Sequence, residues 1–138
     1  MKILKHLPTL AVYQTLCPEQ LAALDRAAWR RIEPGRGGEH FCYLKLQQRY
    51  AEMVARQWEV PVHSAGYVVR LVLPRRALEE YDLESVAYED HLEYRVPVCE
   101  LPRLQAQLVG AARLVAAFRE QHSYSIPESR APLTALMG

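Results

Sequence analysis

The sequence predicts an α+β protein with a mixed or mostly antiparallel sheet and short helices. Several segments alternate polar and apolar residues, the period of a half-buried strand. Most of these segments follow one another without the long crossover that parallel neighbours require. One segment, Tyr67 to Leu73, is almost continuously apolar, which is typical of a central strand covered on both faces.

The composition indicates an ordinary globular chain of one domain. Half of the 138 residues are hydrophobic and the net charge is +1, which argues against nucleic acid and membrane surfaces as partners. No apolar run is long enough to span a membrane, and Pro8 follows Met1 to His6 before the apolar region of a signal peptide develops. Cys17, Cys42 and Cys99 lie far apart, so we predict reduced thiols and a cytoplasmic location.

The elements are predicted in order from these patterns. Strands are expected at residues 10–15, 41–46, 67–73, 91–96 and 111–118, and helices at 18–31, 50–58, 75–81 and 100–109. The segment 82–90 is predicted to be a connection, and Gly110 is expected to cap the last helix. We predict a single domain over residues 1–120 and a loosely ordered tail over 121–138, because the tail has no hydrophobic periodicity.

The helix around residues 50–58 carries the clearest apolar stripe. Tyr50, Met53, Val54 and Trp58 recur at helical spacing, so we expect all four side chains to be buried against the sheet. Tyr67, Val69 and Leu71 are their expected partners.

The strand from His91 to Val96 separates two kinds of side chain. Leu92, Tyr94 and Val96 fall on one face, and His91, Glu93 and Arg95 fall on the other. The charged row has two interpretations: a solvated outer face, which its composition favours, or the floor of a binding cleft.

The common catalytic motifs are absent from the sequence. It has no Gly-x-Ser-x-Gly elbow, no His-Glu-x-x-His helix, no Cys-x-x-Cys pair and no dinucleotide fingerprint. The five histidines show no ligand spacing, so no metal site is predicted. The glycine-rich loop 34–40 allows a phosphate-binding interpretation, but it lacks the Gly-Lys-Ser/Thr ending of a P-loop.

A set of short motifs over residues 10–119 resembles a known family. The matching residues are Tyr50-Ala51, Ala55-Arg56-Gln57-Trp58, Gly66-Tyr67-Val68-Val69-Arg70, Glu93-Tyr94-Arg95-Val96-Pro97, Glu100-Leu101 and Gly110. On these residues the chain resembles small bacterial proteins labelled "ADP-ribosylation/crystallin". Its element order is similar to that of ADP-ribosyltransferases, which implies the same fold.

The resemblance implies a mono-ADP-ribosyltransferase that uses NAD as a substrate and modifies an unknown acceptor. Glu93 would be catalytic, because a carboxylate beside the ribose stabilises the positive charge of the transition state. Tyr13, Gln14 and Tyr43 would bind NAD, with Tyr43 stacked on nicotinamide. Gln14 stands where the family offers a histidine or arginine, and the second strand lacks the Ser-Thr-Ser pattern of the arginine-modifying branch.

Two other interpretations of the sequence stay open. One is a non-catalytic module on the same fold that binds a nucleotide or a protein partner. The other is an interaction module that dimerises through an exposed sheet edge. The transferase interpretation requires Glu93, Gln14 and Tyr43 to lie around a single cleft, although they are distant in sequence.

Overall fold

The computed structural model describes residues 8–35, 39–86 and 91–120, and within them one antiparallel sheet organises the chain. The strands are β1 (Thr9–Leu16), β2 (Phe41–Lys45), β3 (Ala65–Pro74), β4 (Asp82–Ser85), β5 (Leu92–Pro97) and β6 (Arg113–Arg119). Their order across the sheet is β4-β5-β2-β1-β3-β6, and each neighbouring pair is antiparallel. The predicted α+β class is confirmed. The predicted tail, 121–138, lies outside the described residues.

Short helices connect the strands. They are α1 (Pro18–Arg26), α2 (Gln48–Val54), a π-helix (Ala55–Glu59), α3 (Val60–His63), α4 (Arg75–Leu78), a 3₁₀ turn (Val98–Glu100) and α5 (Leu101–Gln105). The predicted extension of the first helix to residue 31 is wrong, because Ala28 and Trp29 adopt positive φ angles of 57° and 61°. Gly110 also has a positive φ, but α5 ends well before it, so it is not the cap of that helix.

The main core lies on one face of the sheet. Val12, Leu44, Leu71 and Val96 are fully buried there, and Val12 pairs directly with Leu71 across β1 and β3. On the opposite face, a smaller cluster joins helix and sheet through Ala51, Ala55, Val68 and Ala116. Its small side chains allow α2 and the π-helix to approach the sheet closely. Both faces of β3 are therefore covered, as its apolar run predicts.

The strand β4 is absent from the sequence prediction, which treated 82–90 as a connection. Its four residues, Asp82 to Ser85, are mostly polar and solvent-exposed, a composition that strands usually avoid. It lies at the edge of the sheet and pairs with β5. Pairing with an existing strand, rather than intrinsic preference, therefore makes this segment a strand.

The predicted burial of the helical stripe holds for Tyr50, is partial for Met53 and Val54, and is wrong for Trp58, which is 64% exposed. The predicted partners Tyr67, Val69 and Leu71 belong to the main core on the other face of the sheet, and the helix packs on Val68 instead. The reason for the exposure of Trp58 is the π-helix, because its i→i+5 turn contains about one residue more than an α turn. In continuous α geometry Trp58 would follow Ala51 and Ala55 onto the sheet. The wider turn instead leaves Trp58 facing solvent, while Glu59 and Val60 lie on the buried side.

Candidate functional site

The sheet opens between its two central strands. Strand β1 pairs with β3 along its whole length, from Thr9 to Leu16. Its described pairing with β2 consists of the single register position Tyr13–Lys45. Beyond that position the two strands diverge around a cleft of about 160 Å³. The residues lining the cleft include Gln14, Thr15, Glu33, Glu39, Cys42, Tyr43, Lys45 and Glu59.

The register places three of the four predicted site residues on one face of the sheet. Tyr13 pairs with Lys45, and Lys45 pairs with Glu93, so these side chains form one row across β1, β2 and β5. Tyr43 is two residues from Lys45 and therefore lies on the same face. Gln14 follows Tyr13 directly, so its side chain emerges on the opposite face.

Glu93 is buried beneath α2 and is 9% exposed. Its Oε1 accepts a hydrogen bond of 3.1 Å from the Tyr50 hydroxyl and lies 4.0 Å from the Lys45 ammonium. His91 stacks on the Tyr50 ring with 4.4 Å between the centroids. The solvated face that composition favoured is therefore wrong at Glu93, because a helix covers this part of the strand. Arg95 does pair on the outside, 3.3 Å from Asp82.

Lys45 and Tyr50 have perturbed acidities. Burial lowers the pKa of Lys45, and the negative charges of Glu93 and Glu59 oppose that shift. Burial raises the pKa of Tyr50 to about 12, and the neighbouring Glu93 adds to the increase. Tyr50 is therefore protonated at neutral pH and donates its hydroxyl hydrogen to Glu93. The ammonium of Lys45 also lies 5.6 Å from the Tyr50 ring centroid, within cation–π range.

Gln14 is held by the backbone of Glu33. Its Nε2 donates to the Glu33 carbonyl at 2.8 Å, and its Oε1 accepts from the Glu33 amide at 3.0 Å. The Glu33 carboxylate is buried and lies 2.8 Å from Arg31. Burial raises the pKa of Glu33, while the guanidinium groups of Arg31 and Arg26 oppose the shift. Gln14 thus anchors the segment after α1, and its contact with NAD stays a prediction.

Gln14 and Tyr43 line the same cleft from opposite strands. The Tyr43 side chain is 39% exposed, so its ring is accessible to a ligand. Glu93 lies behind Lys45, which itself lines the cleft. The predicted grouping of three residues around one cleft is therefore met by Gln14 and Tyr43 but not by Glu93, which does not line the cleft and lies on the face of the sheet opposite the Gln14 side chain. Residues 36–38 of the glycine-rich loop lie outside the described residues, so its phosphate-binding interpretation stays untested.

Sequence reasoning missed Lys45, Tyr50 and Glu59 as members of the site. Lys45 carried a usable signal, because it is a charge within the otherwise apolar strand Phe41 to Leu46. The apolar ring of Tyr50 indicates a core position, and its hydroxyl is the signal of a polar partner, because a buried hydroxyl requires one. Glu59 carried a weak signal, because it follows Ala51 and Ala55 at i+8 and i+4 on the same helical face, but a carboxylate in such a position is usually solvated.

The buried thiol of Cys42 predicts a loss of stability at alkaline pH. Burial raises its pKa from 9.0 to about 12, so between these values the unfolded chain loses a proton that the folded chain keeps. The contribution is complete below pH 9.0 and decreases above it, by about 1.4 kcal/mol per pH unit at most. Tyr50, whose pKa is also raised, lowers stability further at higher pH. Lys45, whose pKa is lowered, has the opposite effect, because the folded chain loses its proton before the unfolded chain does. Urea unfolding on both sides of pH 9.0 should show a steeper loss for wild type than for Cys42→Ala; equal slopes would contradict the prediction.

Two features of other protein classes are absent from the described residues. No helix among them is long and apolar enough to cross a membrane. In the same ranges, no three His, Cys, Asp or Glu side chains come together as a metal-binding group.

No protein-family model matches the chain, and no curated protein or solved structure is significantly similar to it. The family resemblance of the sequence therefore stays a prediction.

Proposed function

We propose that the protein is an ADP-ribosyltransferase-like enzyme that uses NAD at the cleft between β1 and β2 and modifies an acceptor not yet identified. One observation carries the proposal. A buried glutamate, Glu93, accepts a hydrogen bond from Tyr50 and lies 4.0 Å from Lys45, which lines the cleft, and it shares a face of the sheet with the accessible ring of Tyr43. An oriented carboxylate can stabilise the positive charge that develops on the ribose, and an aromatic ring can stack on nicotinamide.

The reaction defines what Glu93 would do. The bond between the nicotinamide nitrogen and ribose C1′ breaks, and its electron pair leaves with neutral nicotinamide. The acceptor's nucleophile then bonds to C1′ and releases its proton. Positive charge develops on the ribose in the transition state, where a fixed carboxylate stabilises it more strongly than in the ground state.

The environment of Glu93 is compatible with this role. A carboxylate accepts several hydrogen bonds, so the bond from Tyr50 leaves capacity for a ribose hydroxyl. The 4.0 Å separation from Lys45 is longer than a charge-assisted hydrogen bond of about 2.7–2.9 Å. Tyr50 therefore orients the Glu93 carboxylate, while Lys45 balances its charge without using up its capacity to accept hydrogen bonds.

A second candidate is a non-catalytic module that binds a nucleotide or a protein through the same cleft. Two contacts favour it: the Gln14 amide is engaged by the Glu33 backbone, and Lys45 partly neutralises Glu93. Unless the side chains rearrange, these contacts occupy the amide and the carboxylate that would otherwise bind the ribose. This candidate predicts ligand binding without cleavage of NAD.

Titration with NAD, followed by thermal shift and by nicotinamide release, tests the two candidates together. NAD at 100 times its dissociation constant should stabilise the fold by about 2.7 kcal/mol. Binding with release supports the transferase, and binding without release supports the module. If NAD does not bind at millimolar concentration, the cleft is not an NAD site under either candidate.

Two variants of Tyr43 serve as a matched pair for the same titration. Tyr43→Phe keeps the ring and should keep NAD affinity. Tyr43→Leu removes the ring and should weaken binding by about 1–3 kcal/mol, the size of a base–aromatic stacking contact. Equal affinity in the two variants would show that Tyr43 does not stack on the ligand.

A further inference from the structure

The π-helix buries a carboxylate, Glu59, and exposes an aromatic ring, Trp58, that an α-helix would turn towards the sheet. Ala51 and Ala55 pack on the sheet, and the next inward position of an α-helix would fall near Trp58. The wider turn of Ala55–Glu59 turns Trp58 into solvent and keeps Glu59, four residues after Ala55, on the inward face, where it is 8% exposed. Exposing a tryptophan and burying a carboxylate both cost stability. Such costs, like π-helical turns themselves, are concentrated at functional sites.

The packing around this turn fixes Glu59 in place. A Cβ atom at Gly66 would lie 2.8 Å from the Ala55 carbonyl oxygen and 2.8 Å from the Glu59 Cβ. Only glycine allows the start of β3 to approach the π-helix so closely. Val60, the residue after Glu59, is also buried. The Glu59 side chain therefore enters the cleft from a rigid backbone and not from a mobile loop.

The charges around the cleft favour a cation. Among the described residues that line it, the carboxylates are Glu33, Glu39 and Glu59, and the one ammonium group is Lys45. Glu33 pairs with Arg31 at 2.8 Å, and Lys45 is the neighbour of Glu93. Tyr43 adds the face of an accessible aromatic ring, which attracts cations through its quadrupole. Carboxylates and a tyrosine ring together suit a flat, positively charged group.

We infer that Glu59 determines ligand specificity by selecting a positively charged aromatic ring, of the pyridinium class, in the cleft. This deepens the proposed function and rests on it, because the nicotinamide ring of NAD is a pyridinium whereas the ring of NADH is neutral. Glu59 thus distinguishes the oxidised dinucleotide, which carries a leaving group, from the reduced form, which does not.

Glu59 also has a purely structural interpretation. Its charge opposes the lowering of the pKa of Lys45, and its Oε1 lies 3.8 Å from His63. If balancing buried charge is its whole role, replacing it changes stability but affects charged and neutral ligands alike. The ratio of affinities for two ligands of the same shape therefore separates the interpretations.

The probes are 1-methylnicotinamide, a pyridinium cation, and nicotinamide, a neutral ring with the same carboxamide. We expect wild type to bind the cation at least about tenfold more tightly, equivalent to 1.4 kcal/mol. Glu59→Gln should bring the ratio close to one. Glu52→Gln is the matched control, since Glu52 belongs to the same helical segment and pairs with Arg56 at 3.9 Å; it should keep the wild-type ratio.

Equal binding of the two probes by wild type, no binding of either, or an unchanged ratio in Glu59→Gln would overturn the inference. If Glu59→Gln does not fold, Glu59→Asp retracts the carboxylate by one methylene and should lower the ratio instead; an unchanged ratio there overturns the inference equally.

Titration of the same proteins with NAD separates this inference from the proposed function. Preference for the cationic probe without NAD binding or nicotinamide release would leave the pyridinium site standing and remove the transferase. Cleavage of NAD by a protein that shows no preference between the two probes would remove the role of Glu59 alone.

Discussion

Replacing Glu93 with glutamine is expected to lower nicotinamide release from NAD by orders of magnitude, while NAD affinity changes little. Glutamine keeps the shape of the side chain and much of its hydrogen bonding but removes its charge. Only the transition state carries the additional positive charge on the ribose, so the loss should fall on turnover and not on binding. The measurement is nicotinamide release at saturating NAD, together with the NAD dissociation constant.

The same substitution should reduce stability, because it leaves the Lys45 ammonium without its paired carboxylate. Breaking a buried ion pair costs up to about 3–5 kcal/mol; Glu59, whose charge also acts on Lys45, limits the loss. Activity must therefore be compared at a temperature where melting curves show both proteins folded. Glu84→Gln is the matched control, since Glu84 is the β4 register partner of Glu93 but pairs outward with Arg95. Equal nicotinamide release by wild type and Glu93→Gln would eliminate the catalytic role.

Replacing Leu71 with alanine is expected to reduce the free energy of unfolding by about 2–5 kcal/mol. Leu71 is fully buried at the centre of the main core and pairs with Val12 across the sheet. Truncation leaves a cavity that the surrounding strands cannot fill, because hydrogen bonds on both sides hold β3 in place. Urea denaturation of wild type and variant measures the change directly.

Trp58→Ala is the control for that experiment, and it removes a larger side chain. Because Trp58 faces solvent, its replacement should change stability by no more than about 0.5 kcal/mol, as at most surface positions. The helical stripe in the sequence predicts the reverse, a loss of about 3–5 kcal/mol for a buried aromatic side chain. A loss of that size in Trp58→Ala would show that residues 55–59 form an ordinary α turn.

The predicted and observed structures agree where local pattern decides the conformation. Alternation over Leu92 to Val96 and the apolar run Tyr67 to Leu73 each correspond to a strand, β5 and β3. The alternation of β5 gives one apolar face only in an extended backbone, and the continuous apolar run of β3 suits a strand that is covered on both faces. The apolar face of β5 accordingly lies in the core, where Val96 is fully buried.

The predictions that failed depend on what packs against an element. Glu93 belongs to a strand face that looks solvated by composition, and only the position of α2 makes it a buried acceptor for Tyr50. The edge strand β4 exists because β5 offers it hydrogen bonds. Neither neighbour can be inferred from the residues of the segment itself.

The sequence by itself determined the fold class, five of the strands and the two faces of β5, because side-chain periodicity is a local property of the chain. The tertiary structure alone decided the site. The divergence of β1 from β2 opens the cleft, the Glu33 backbone engages Gln14, and the π-helix turns Trp58 into solvent while Glu59 stays buried. Each of these depends on the position of a distant segment, and the free energy that selects them comes from packing and buried charge, not from local preference.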